Sequence, residues 1–208
     1  MTRFTLPRGR RSKRSALAAT AAILAIGAVG CGGSSATKAK SSAPVDPNAA
    51  EVNPAGDIPD NQAFVRFTPP GGGFSVKVPE GWSRSDSGGA VVFTDKLNAI
   101  RVESVPAQAP LTTREARGTE VPKLAASVKG FKPGSVATIT RKAGSAVRIT
   151  YLAAAKPNPV TGKAGQDAVE RYVFFHQGKD VILTLSGPKG ADNVDPWRIV
   201  TDSVTWAR

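Results

Sequence analysis

From Phe74 to Gly187 the chain alternates apolar and polar residues in short runs broken by tight turns, a pattern that limits it to an antiparallel sheet. "FSVKV" puts Phe74, Val76 and Val78 on one face and Ser75 and Lys77 on the other. "AVVFT" (90–94) and "AIRVESV" (99–105) follow at hairpin spacing around Asp95–Asn98. "SVATITRK" (135–142) and "SAVRITYLAA" (145–154) flank a tight turn at Ala143-Gly144. "AVERYVFFH" (168–176) and "VILTLSG" (181–187) flank a third, Gln177–Asp180. Strands this close in sequence pair with their neighbours.

Helical spacing interrupts the strands twice. Val121, Leu124, Ala125 and Val128 fall at i, i+3, i+4 and i+7, with Thr119 as the expected cap and Gly130 as the stop. Pro122 is tolerated there because first-turn N–H groups have no intrahelical partner. Upstream, Thr112-x-x-Glu115 fits a capping box, while Gly118 and Pro122 predict that any helix there is short or kinked. Near the C-terminus, Asp195 and Pro196 are expected as cap and first residue of a helix that lays Trp197, Val200 and Val204 on the sheet. One antiparallel sheet with helices packed on it is an α+β domain.

The N-terminus obeys other rules. Six basic residues and no acid (Arg3, Arg8, Arg10, Arg11, Lys13, Arg14) precede an apolar stretch, Ser15–Gly27, and small residues follow it. Residues 1–30 therefore read as a secretory signal peptide. A membrane-spanning helix needs about 20 apolar residues, more than this run supplies before its glycines. Arg10-Arg11 suits twin-arginine export, but no apolar pair follows it, so both export routes stay open. The only cysteine, Cys31, comes directly after. Ala28-Val29-Gly30-Cys31 resembles the lipobox of bacterial lipoproteins, with Ala28 where Leu is usual. That resemblance implies cleavage before Cys31 and acylation of its thiol. Two or more acyl chains hold a protein firmly, at about 0.8 kcal/mol per buried methylene.

Charge follows the same division. The whole chain carries +12, and the signal peptide's six cations leave +6 for the remainder. Residues 31–60 hold almost no large apolar side chain and are expected to form a disordered tether. As a flexible coil its 29 residues after Cys31 would span about 30 Å. Residues 61–208 are long enough for one domain burying about 70% of its unfolded surface. The basic residues there are scattered through strand-like runs, which argues against nucleic acid as a partner.

"GFSVKVPEGW" (73–82), the middle helix, the paired hairpins and the closing "DPWRIVTDSVTW" together resemble the PsbP/Mog1-like superfamily, in particular small actinobacterial lipoproteins of LpqN type. The likeness covers about residues 62–206, and the long segment 156–166 departs from a minimal version of that fold. It implies an α/β/α sandwich and a protein that binds or assists other proteins; no active site carries over.

The chemistry-bearing motifs support no cofactor. "PPGGGF" (69–74) precedes a strand and reads as a turn, unlike a phosphate loop, which opens a helix. Trp82, Trp197 and Trp206 are candidates to line a ligand cleft, although Trp82 and Trp197 also suit a core. Lys123, Lys129, Lys132, Arg141, Lys142 and Arg148 are candidates for an anionic-polymer patch or a solvated face. His176, the single histidine, would have to serve any hydrolytic site, with Asp180 or Asp167 as partner and Ser186 or another serine as nucleophile. The expected function is a non-catalytic interaction module, lipid-anchored on the extracytoplasmic face of the cell membrane. It would bind an envelope protein or an anionic polymer. The alternatives are a carrier of a lipid or small apolar ligand between sheet and helices, and a hydrolase using His176.

Overall fold

A computed structural model of the chain describes residues 55–157, 162 and 164–207. The signal peptide, Cys31 and most of the expected tether lie outside the described residues, as does part of the 156–166 segment.

Hydrophobic alternation does what it predicts. The chain runs β1 (Phe64–Phe67), β2 (Phe74–Pro79), β3 (Ser83–Ser87), β4 (Ala90–Asp95) and β5 (Asn98–Pro106). A helical stretch follows, then β6 (Lys132–Arg141), β7 (Gly144–Ala154), β8 (Gln166–His176) and β9 (Lys179–Pro188). Helix α3 (Val194–Asp202) and the short β10 (Thr205–Trp206) close the chain. β3-β4-β5 and β6-β7-β8-β9 are two meanders, joined where β5 pairs with β9 into a seven-stranded antiparallel sheet. Gln177 and Gly178, both at positive φ (46° and 77°), make the tight β8–β9 turn. The β6–β7 turn falls on Lys142-Ala143, one residue earlier than expected.

The single expected sheet is in fact two. β1, β2 and β10 form a three-stranded sheet, and Phe74, Val76 and Val78 on β2 bury as predicted. Together with α3 it covers one face of the large sheet, around Ile100, Val102, Tyr172, Phe174, Leu183 and Leu185. The opposite face carries Val147, Ile149, Tyr151 and Val169 beneath Ala116, Val121, Leu124 and Val128 of the helical stretch. The fold is α+β, mainly antiparallel, with helices on both faces. Each large side chain buried in these layers contributes about 1.5–3 kcal/mol.

The helical stretch runs unbroken through three registers: α1 (Thr113–Glu115), a π-turn segment (Ala116–Glu120) and α2 (Val121–Ser127). The capping box is present. The Thr112 hydroxyl accepts from the Glu115 N–H at 3.2 Å, and the Glu115 carboxylate accepts from the Thr112 N–H at 2.9 Å. The Thr112 hydroxyl also donates to the Glu115 carboxylate at 2.7 Å, and that bond, then the one from the Thr112 N–H, favour the ionised carboxylate and lower the Glu115 pKa. Thr119 is not a cap but sits inside the π segment. Pro122 has no N–H to give the carbonyl four residues back, and the chain widens there instead of breaking. The helix ends earlier than expected, at Ser127 with Val128 as an extended C-cap, and Gly130, the expected stop, lies in the turn that follows, at φ 68°.

The cap of helix α3 lies two residues before the expected one. The Asn193 carbonyl takes the first helical bond, from the Trp197 N–H at 3.0 Å, so Asp195 and Pro196 fall within the first turn. Trp197, Val200 and Val204 bury against the sheet as predicted.

The fold also takes in Gly56–Ile58, which belong to the segment expected to be tether. Ile58 is 3% exposed, and its N–H donates to Asn193 Oδ1 at 2.8 Å. Among the described residues, no helix is long and apolar enough to cross a membrane.

Candidate ligand cleft beside helix α3

Strand β8 presents Glu170 and Tyr172 to the face under α3, and the neighbouring β7 presents Arg148. Arg141 at the end of β6 reaches the same place, and α3 lays Trp197 and Arg198 over it. These side chains line a cleft of about 390 Å³, with Ala168, Pro188 and Val194 as apolar wall.

Hydrogen bonds fix most of this set. Arg141 donates through Nε to Thr201 Oγ1 (3.0 Å) and through Nη2 to Tyr172 Oη (3.2 Å), its guanidinium 5.4 Å from the tyrosine ring centre. Tyr172 in turn donates to the Glu170 carboxylate. Burial, and then that bond to Glu170, raise the Tyr172 pKa, so the phenol stays a donor. Arg198 faces Asp202 at 3.6 Å, and Asp202 also lies 3.8 Å from Arg141. Arg148 Nη1 reaches Glu170 at only 3.5 Å.

Two donors in this cleft are left over. Among the described residues, the buried Arg148 Nε and Trp197 Nε1 find no hydrogen-bond partner, and Trp197 is 8% exposed. A buried donor without an acceptor costs about 1–3 kcal/mol. The arrangement can accept a group that brings its own oxygen.

The other sequence candidates scatter. Trp82 packs partly buried on the main core. Trp206 donates from Nε1 to the Ala143 carbonyl (3.0 Å) and stacks on His176 with ring centres 4.4 Å apart. Of the three tryptophans only Trp197 lines the α3 cleft. The six basic candidates do not make one face. Lys123, exposed on α2, pairs with Glu120 at 2.9 Å on the side of the large sheet opposite Arg141 and Arg148. Lys129 and Lys132 are exposed near the start of β6. Lys142, at the β6–β7 turn, lines a separate groove of about 930 Å³ with Arg66, Lys77 and Arg198.

The partners imagined for His176 do not converge on it. His176 pairs in the ladder with Lys179, whereas Ser186 sits opposite Val169 and Asp167 opposite Pro188. Seven residues of strand between Val169 and His176 amount to about 24 Å. Asp180 is the nearest of the three, but strand alternation turns it to the other face of the sheet from His176. Among the described residues, no group of three or more His, Cys, Asp or Glu is placed to hold a metal ion.

Sequence reasoning missed Glu170, Tyr172, Asn193 and Arg198. It also missed a partly buried ion network on the opposite face. There Arg171 Nη1 donates to Glu103 (3.0 Å) and Thr184 (3.0 Å), and Arg101 Nε donates to Glu103 (2.9 Å). The signal available was a pair of opposite charges, Glu170-Arg171, inside an otherwise apolar strand.

Asp180, beside that network, has a buried oxygen without a partner. Burial first, and then the Glu120 charge, raise its pKa against the pull of Arg171. The neutral acid is therefore more favoured in the folded chain than in the unfolded one. Stability from this group is complete below the ordinary carboxyl value and is lost as pH rises through the raised folded value. Asp180→Asn is expected to raise the melting temperature at about pH 7 and to change it little at about pH 3, where both states are protonated. Circular-dichroism melts at the two pH values check this; equal shifts at both would refute it.

No family model matches the chain, and no curated protein matches it. Solved structures do resemble it. The solution structure of the PsbP of the cyanobacterium Synechocystis is similar with a TM-score of 0.48 and 15% identity, covering 79% of this chain and 100% of that one. The Ran-binding protein Mog1p of Saccharomyces cerevisiae is similar at 0.46 and 12%, over 70% of this chain and 96% of that one. LpqN of Mycobacterium tuberculosis, described as involved in cell envelope biogenesis, is similar at 0.40 and 14%, over 72% of this chain and 93% of that one. All three likenesses are under 25% identical with TM-scores under 0.5, and none carries a residue role to this chain.

Proposed function

We propose that the chain is a lipoprotein held on the extracytoplasmic face of the cell membrane through Cys31, and that its folded part is a binding module rather than an enzyme. The observation that carries the reading is the position of the only cysteine, directly behind a basic start, an apolar run and three small residues. A thiol so placed is where an acyl anchor belongs, and a folded unit that starts near Gly56 leaves about two dozen residues as tether. The α3 cleft supports a binding role for the domain, because two residues that line it carry buried donors without acceptors beside an apolar wall.

Mass spectrometry of the protein from a membrane fraction tests the anchor. The expected N-terminus is an acylated Cys31, and Cys31→Ser is expected to move the protein to the soluble fraction. A chain that starts elsewhere, or a wild-type protein found in the soluble fraction, would overturn the reading.

A further inference from the structure

We infer that the α3 cleft is a binding site for a carboxylate monoanion carried on a short apolar body. This deepens the reading of the folded part as a binding module and is independent of the anchor.

Three observations lead to it. First, two residues lining one cleft carry an N–H donor that is buried and has no acceptor among the described residues, Arg148 Nε and Trp197 Nε1, and the tryptophan is more than nine-tenths buried. The donors at Arg141 Nε and Nη2, Tyr172 Oη and Asn193 Nδ2 are already bound within the protein. The missing partner is an oxygen, and a guanidinium bonds most strongly to an anionic one.

Second, the local charge sets the valence. Arg141, Arg148 and Arg198 face Glu170 and Asp202, which leaves one positive charge uncompensated. A carboxylate cancels it. A phosphate monoester would bring nearly two charges into contact range of Glu170 and Asp202, and like charges at a partly buried site repel strongly.

Third, part of the lining is apolar, made by Ala168, Pro188, Ala191 and Val194, and the cleft's 390 Å³ lies within the roughly 300–1,000 Å³ usual for small-molecule sites. Arg148 is 31% exposed and bonds Glu170 only loosely, so it can swing to admit a ligand.

A carboxylate of this kind is the head of a free short-chain acid or the C-terminus of an apolar peptide, and the experiment separates them. The full chain, labelled with ¹⁵N and held in detergent, is titrated with hexanoate, hexanamide, hexyl phosphate, acetyl-leucyl-leucine and its C-terminal amide. The three tryptophan indoles are followed individually. The expected result is a saturable shift of the Trp197 indole alone with hexanoate or acetyl-leucyl-leucine. Hexanamide and the peptide amide should bind at least about tenfold more weakly, the usual difference between charged and neutral hydrogen-bond partners. Tighter binding of the peptide assigns the carboxylate to a chain terminus; tighter binding of hexanoate assigns it to a free acid. Arg148→Gln, whose folding is checked by its melting temperature, should weaken the better ligand by about tenfold or more. The inference is overturned by no saturable shift at Trp197, by equal response to acid and amide, or by hexyl phosphate binding as well as hexanoate. The amide comparison needs no variant, so it holds even if Arg148→Gln fails to fold. A failed titration leaves the mass measurement on Cys31 untouched, and the reverse is equally true.

Discussion

Truncating Phe174 to alanine lowers the unfolding free energy by about 3–5 kcal/mol, the expected cost of deleting a buried phenyl ring and leaving a cavity. Phe174 is 0% exposed on β8, close to the middle of the seven-stranded sheet. Its ring lies near-parallel to Tyr172 with centres 6.5 Å apart, and edge-on to Trp206 at the same separation. It therefore joins three layers: the large sheet, the Arg141–Tyr172 contacts beside α3, and the end of the small sheet. A domain of this size has about 5–15 kcal/mol in total, so the variant is left with little margin. Urea unfolding followed by circular dichroism gives the difference from the midpoint at constant slope. A loss below about 1 kcal/mol would mean that this layer collapses around the gap and is not the packed core.

Asn193→Ala is expected to cost about 2–4 kcal/mol, through buried partners left without bonds rather than through lost volume. Asn193 is 3% exposed. Its side chain accepts from the Ile58 N–H (2.8 Å) and donates to the Gly56 carbonyl (3.0 Å) and Asn98 Oδ1 (3.0 Å). Alanine removes all three at once. Hydrogen exchange provides a sharper reading than the melting temperature, because the Ile58 amide should lose its protection before the sheet does. If Ile58 stays protected to the global limit, the segment is held by the burial of Ile58 and not by the asparagine.

The hairpins were legible because each is a local fact. Alternation in "AIRVESV" states which side chains turn inward, the near-continuous apolar runs "AVVFT" and "VILTLSG" mark strands buried on both faces, and the short gaps between runs leave only one way to fold back. β3 was not legible. Its sequence "SRSDS" is exposed throughout, and it is a strand only because its backbone completes the ladder of β4. Periodicity reports burial and is silent on a strand paired at a solvated edge, where polar residues also discourage pairing with other chains. β10, two residues long, carries no period at all and exists because Thr205 and Trp206 meet Ser75 and Phe74. The start of α3 moved for a comparable reason. Asp195-Pro196 is a good local cap, but Asn193 was pinned by residues 95 and 135 positions earlier in the chain.

The α3 cleft shows the same division. Arg141 and Arg148 could be picked out as cations and Trp197 as an apolar-face aromatic, but nothing local joins them to Glu170, Tyr172 and Arg198. Sequence by itself determined the strand class, the sense of each hairpin, the inward faces and the capping box, because these depend on neighbours within a few residues. Tertiary structure alone decided that the cover is a second sheet, that the cations divide between opposite faces, and that two donors remain unspent. Hydrogen-bond satisfaction in a buried site is settled by which distant segments arrive there, and a one-dimensional pattern does not encode that meeting.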